Sequence, residues 1–234
     1  MMVLAASHAG AQTVVNSGVP GRNSSEGLRD LPKALQSPAD HLVILFGMND
    51  ALNSAKLVEP KKFRQNLQKM IDLSRKQGAK TVTLITLHPV NESYLQERHP
   101  KHPAFDRLQE HVQEYNQTIQ QVAKESDCLL VDWRAVLLKK SPGETVEDAV
   151  ADRQESLLRG TANSDDRDGL HLTAKGYQLL AVAVEQKLRE HVDPDDKIVC
   201  FGDSLTFGSH MRGEGTTHGD TYPAALQRLL KPEE

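Results

Sequence analysis

The chain has 234 residues, 38% of them hydrophobic and 26% charged, with a net charge of −4. That balance belongs to a soluble globular protein that can bury one core. There is no long basic run, which argues against a nucleic-acid or anionic-membrane surface, and no stretch approaches the ~20 apolar residues of a membrane span.

Met1–Ala6 is mildly apolar, but it lacks a basic flank and is too short for a signal h-region. A cytoplasmic location is therefore expected. The first strand is predicted at Thr13–Val19 and the second at His41–Phe46. Pro60–Gln77 reads as a helix, with Phe63, Leu67, Met70, Ile71 and Leu73 on one face and Gly78 as a stop. A third strand is predicted at Thr81–Leu87, followed by a long loop, His88–Ala104, rich in His and Pro. Phe105–Lys124 is a second helix and Cys128–Asp132 a fourth strand. Arg134–Arg167 reads as a second long loop with a helix around Thr145–Leu158. Thr173–His191 is helical, with Thr173 a candidate N-cap. A fifth strand, Lys197–Phe201, and a short helix, Tyr222–Leu230, complete the series.

Each strand is a near-continuous apolar run, which suits burial on both faces of a parallel sheet. Strands alternating with helices predict a three-layer α/β/α domain with right-handed crossovers, spanning the whole chain. In such a sheet, ligands sit beyond the carboxyl ends of the strands. The two long loops are candidate substrate walls. Cys128 and Cys200 lie in apolar runs without zinc-site spacing and read as buried reduced thiols.

The strand ends carry the chemistry. Lys197–Phe201 runs directly into Gly202-Asp203-Ser204-Leu205, so that Ser204 projects its hydroxyl into the crevice above the sheet. Alone, this tetrapeptide is a turn. A serine nucleophile needs a base, and Asp168-Gly169-Leu170-His171 offers one just before a helix. There His171 faces the serine while Asp168 holds the other ring nitrogen. An isolated Asp-x-x-His is a capping loop with an exposed histidine. Acyl transfer also needs donors for the developing oxyanion. A glycine in Asn16-Ser17-Gly18-Val19-Pro20-Gly21 can bring a backbone N–H close to a ligand, and Asn49 of Gly47-Met48-Asn49-Asp50 can offer a side-chain amide. Separately these are a turn and an N-cap. Asp50 and Asp203 are expected to hydrogen-bond within the site loops without a chemical step. His88, His99 and His102 read as a solvated substrate loop rather than a metal site, because prolines break the register and no carboxylate stands at ligand spacing.

Together the four blocks resemble the SGNH (GDSL) hydrolase superfamily over essentially the whole chain. The resemblance implies a flavodoxin-like five-stranded parallel sheet and acyl-ester hydrolysis without a metal or other cofactor. It also implies an oxyanion hole made by the Ser204 N–H, the Gly21 N–H and the Asn49 side chain. The segments around Phe46–Ala51, Leu84–Pro89 and Asp168–Tyr177 are similar to isoamyl-acetate-type esterases, which implies a short acyl group such as acetyl. Acetylated carbohydrates, thioesters, phosphoesters and lysophospholipids are alternative substrates, and a catalytically inactive binding module is the alternative outside enzymes. The expected partner is a small-molecule ester; an oligomer is not indicated.

One departure is large. The family's serine block comes first, whereas here it comes last. Circular permutation accounts for this most simply, with Lys197–Glu234 equivalent to the family's first strand and helix, joined through the linker Val192-Asp193-Pro194-Asp195-Asp196. A segment of a tandem array, or a C-terminal segment that swaps into a neighbouring copy, are the alternatives.

Overall fold

The computed structural model describes residues 12–231, so the reading of Met1–Ala6 lies outside the described residues. Five strands form one parallel sheet: β1 (Thr13–Gly18), β2 (His41–Leu45), β3 (Thr81–Ile85), β4 (Leu129–Val131) and β5 (Lys197–Gly202). Their spatial order is β1-β5-β2-β3-β4. All five predicted strands are present, shortened at their C-terminal ends or by a residue or two, save β5, which runs one residue further.

Among the described residues ten α-helices lie between and after the strands: α1 (Ser24–Ala34), α2 (Met48–Leu52), α3 (Pro60–Lys76), α4 (Glu92–Arg98), α5 (Leu108–Glu125), α6 (Trp133–Lys140), α7 (Val146–Val150), α8 (Ala174–Leu188), α9 (Ser204–Phe207) and α10 (Tyr222–Leu229). α1, α3 and α5 pack side by side on one face of the sheet, and α6, α8 and α10 on the other. This is the three-layer α/β/α arrangement expected from the alternation of elements.

α1 is a helix that apolar periodicity does not reveal. Gly27 and Pro32 interrupt its pattern, yet a capping box starts it: the Asn23 side chain accepts from the Glu26 N–H at 2.9 Å, and Glu26 accepts from the Asn23 N–H at 3.1 Å. α4 and α6 likewise emerge from segments read as loop, capped by Asn91 and Asp132. The helix expected around Thr145–Leu158 is only Val146–Val150. Beyond it, Asp152 draws the chain into a turn, accepting from the Ala162 N–H at 2.9 Å and the Thr161 N–H at 3.1 Å. Local side-chain acceptors of this kind compete with helix continuation.

The C-terminal strand lies inside the sheet. β5 pairs in parallel with β1 on one side and β2 on the other, so that Gly202 stands level with both Gly18 and Leu45. Ile198, Val199, Cys200 and Phe201 are fully buried. The linker into β5 is anchored below the sheet: the Asp196 carboxylate meets His41 Nε2 at 2.8 Å and Lys80 Nζ at 2.6 Å. The outer edge of β1 is partly closed by side chains. Gln227 of α10 accepts from the Val14 N–H at 2.8 Å, and Asn16 accepts from the Gly18 N–H at 3.0 Å. Capping of this kind blunts an edge against strand addition. Cys200 is buried, which pushes its thiol up to about 12, while Cys128 is only half-buried, and both are unpaired.

Candidate active site

The level ends of β1, β5 and β2 bring three loops together. Gly18 permits this closeness, since a Cβ there would sit 2.1 Å from the Phe207 backbone nitrogen. The turn after β1 therefore rests directly on α9. Asp203 caps α9, its side chain accepting from the Leu205 N–H at 2.9 Å, and this places Ser204 as the first helical residue.

His171 reaches Ser204 within one chain, with Nε2 2.9 Å from the serine Oγ. On its other side, Nδ1 lies 2.9 and 3.0 Å from the two Asp168 oxygens. The proton is assigned to Nδ1 because it faces a carboxylate. The Nε2 lone pair is then free to accept from the serine hydroxyl. Asp168 is buried, which disfavours its charge. Hydrogen bonds from the His171 ring and from the Leu170 and His171 amides outweigh that penalty and hold the carboxyl well below its ordinary range. Arg159 adds an ion pair to Asp168 at 3.4 Å and binds Asp166 at 2.9 Å. A hydroxyl, an imidazole and a carboxylate in this order can move a proton away from the hydroxyl as it attacks a carbonyl.

The two long loops buttress this histidine rather than standing apart from it. Asn91 donates its N–H to the Gly169 carbonyl at 2.8 Å. Arg159 donates to the His171 carbonyl, and Gly169 to the Arg159 carbonyl, also at 2.8 Å. His88 and His102, read as part of a solvated loop, are instead buried, and both rings bond backbone. His102 Nε2 lies 2.8 Å from the Ala51 carbonyl. His88 Nε2 donates to the Leu170 carbonyl at 2.8 Å, while Nδ1 accepts from Trp133 Nε1 at 3.2 Å. His99 is half-buried, with Nδ1 3.1 Å from Ser54 Oγ.

Gly21 lies in the turn after β1 at φ +72°, a conformation that favours glycine. Asn49 lies in the first turn of α2, with Nδ2 3.2 Å from both the Arg22 carbonyl and an Asp203 oxygen. Its amide is thus engaged by the residue that follows Gly21 and by the residue that caps α9. Asp203 is buried, which raises its carboxyl to about 6, and burial raises Asp50 to about 7. Asp50 accepts from the Ser24 N–H at 3.0 Å and also bonds the Ser24 hydroxyl, tying the start of α1 to α2. The structure therefore gathers Ser204, His171 and Asp168, with Gly21 and Asn49 on the adjoining loops. A cavity of 420 Å³ opens beside the Gly21 turn, between Ser17, Val19, Arg22 and Lys33, and neither Ser204 nor His171 lines it.

Sequence reasoning misreads one neighbour of the site, His88, and passes over three. His88 lies three residues beyond the end of β3, so the rule that sites lie beyond strand ends marks it out. His210 stands six residues after Ser204, a spacing that invites notice. Trp133 and Arg159 carry no local signal.

A family model described as the GDSL-like lipase/acylhydrolase family matches residues 2–179. An uncharacterized lipoprotein of Bacillus subtilis (strain 168) is 28% identical over 200 residues, covering 78% of this chain and 76% of its own. A lipase/acylhydrolase from Enterococcus faecalis has a similar structure, with a TM-score of 0.53 at 25% identity over 76% of this chain and 75% of that one. An acetylxylan esterase from Geobacillus stearothermophilus is similar in fold, with a TM-score of 0.51 at 18% identity over 75% and 70% of the two chains.

Proposed function

The chain belongs to the GDSL-like lipase/acylhydrolase family and is a serine ester hydrolase; from that premise we propose that Ser204, His171 and Asp168 are its catalytic triad and that its substrates are short-chain acyl esters. The observation that carries the triad is the 2.9 Å contact of His171 Nε2 with Ser204 Oγ, with Nδ1 held on Asp168.

Ser204 Oγ attacks the acyl carbon as its proton passes to His171 Nε2, and Asp168 stabilises the imidazolium. The oxyanion is met by the Ser204 and Gly21 amides and by Asn49 Nδ2, which releases one of its two present acceptors to do so. Collapse of the tetrahedral adduct returns the proton from His171 to the departing alcohol. Water, deprotonated by His171, then attacks the acyl-serine and releases the acid.

The polar surroundings support a small, water-soluble ester. Asn53 bonds Asn49, and Arg159 and Asp166 adjoin Asp168. They favour an acetylated carbohydrate over a long acyl chain as the substrate alternative. Hydrolysis of an ester panel varied in acyl length and alcohol, run beside an acyl thioester and a phosphodiester, tests this reading. The expected result is highest kcat/KM for acetyl esters and stoichiometric labelling of Ser204 by a fluorophosphonate. An unlabelled Ser204 overturns the triad.

The chain order is read as a circular permutation. Renumbering β5 as the first strand turns the observed order into 2-1-3-4-5, the flavodoxin-like arrangement. The family match also ends at residue 179, before the serine block.

A further inference from the structure

His210 has no part in the proposed chemistry, yet its ring stands edge-on to that of His171, 5.2 Å between centroids. One ligand atom each from Asp168, His171 and His210 lie within 4.8 Å of one another. Two imidazoles and a carboxylate are a donor set for Zn²⁺ and other borderline divalent ions. Ligands about 2.0–2.2 Å from a tetrahedral ion stand closer together than 4.8 Å; Asp168 already lies 2.9 Å from His171 Nδ1, so His210 is the group that draws in.

Three features of His210 allow it. Among the described residues neither of its ring nitrogens has a hydrogen-bond partner, only its backbone N–H being bound, to Glu214 at 2.9 Å. The side chain is exposed, so an ion can enter from solvent. The residue sits at φ +70° in a segment with left-handed glycines at 208, 213, 215 and 219, a loop turn rather than a packed helix or strand.

We propose that Asp168, His171 and His210 form an inhibitory divalent-metal site, with His210 as the ligand dispensable for catalysis. Bound metal occupies a ring nitrogen of His171. At Nε2 it takes the lone pair that accepts the serine proton. At Nδ1 it displaces the proton shared with Asp168, and the neutral ring then carries its hydrogen on Nε2. Either way the base is lost. The effect on activity rests on His171 being the base; the binding does not.

Two readouts on the full chain separate these. Zn²⁺ is expected to inhibit p-nitrophenyl acetate hydrolysis, with full recovery on chelation. His210→Asn suits the left-handed backbone. It should leave kcat and KM unchanged without metal while raising the inhibitory Zn²⁺ concentration by at least about tenfold. Co²⁺ should give a ligand-field absorption band in the wild type that His210→Asn loses. Zn²⁺ inhibition of equal strength in both proteins, or a Co²⁺ band that is unchanged in His210→Asn or absent from both, overturns the site. A His210-dependent Co²⁺ band without loss of hydrolysis upholds the site and counts against His171 as the base.

Discussion

His88 donates its Nε2–H to the carbonyl of Leu170 at 2.8 Å, across 82 positions of sequence, and so ties the end of β3 to the loop that presents His171. Its Nδ1 accepts from Trp133, which settles the tautomer and uses both ring nitrogens. Burial lowers its pKa from 6.5 to about 4. The ring is therefore neutral in the folded state where the unfolded chain would protonate it.

A histidine whose folded pKa is depressed contributes stability that is present above its unfolded value, near 6.5, and is lost as pH falls toward 4. His88→Gln should shrink that acid-induced loss of stability between pH 6.5 and 4, as read by denaturant unfolding of both proteins. His88→Ala leaves the Leu170 carbonyl and the Trp133 indole without partners. It should cost about 1–3 kcal/mol for each unsatisfied group and lower kcat more than KM. An unchanged pH dependence in His88→Gln would show that the ring is solvated in solution.

The triad reading sets a sharp expectation for the carboxylate. Asp168→Asn should lower kcat by roughly 10⁴ by fixing the wrong tautomer on His171, with the fold retained by circular dichroism and the melting temperature lowered by loss of the buried carboxylate. Ser204→Ala should abolish hydrolysis and fluorophosphonate labelling. Near wild-type turnover of p-nitrophenyl acetate by either variant would place the chemistry elsewhere.

Asn49 tests the oxyanion hole. Asn49→Ala should lower kcat by roughly 10²–10³ with a modest change in KM, because the amide acts mainly on the transition state. A loss confined to KM would make Asn49 a ground-state binding residue.

The position of β5 makes the C-terminal segment indispensable. A chain ending at Asp196 loses four fully buried side chains from the centre of the sheet and exposes facing edges of β1 and β2. Each large apolar side chain is worth about 1.5–3 kcal/mol, against a typical total stability of about 5–15 kcal/mol. That chain should be unfolded or insoluble by circular dichroism and gel filtration. Moving residues 197–234 in front of Met1 keeps every strand in place, so it should restore a folded, active enzyme. Cooperative unfolding of the truncated chain would mean that the segment is an appendage.

The strands, the long amphipathic helices α3, α5 and α8, and the four motif blocks were legible in the sequence because each is local. Apolar runs mark buried strands, helical periodicity marks a packed face, and a serine at a strand end or a histidine three residues after an aspartate is visible without coordinates. Short helices were not legible where caps rather than periodicity start them, as at Asn23 and Asn91. The placing of β5 between β1 and β2 could be expected only through the family resemblance, because strand order depends on contacts far apart in sequence. The tertiary structure alone decided the buried roles of His88 and His102, the clamp of Asn91 and Arg159 on the His171 loop, and the approach of His210 to His171. Those are pairings between groups tens of residues apart, chosen by the need to satisfy buried polar atoms once the sheet has closed, and no local pattern encodes which partner will be in reach.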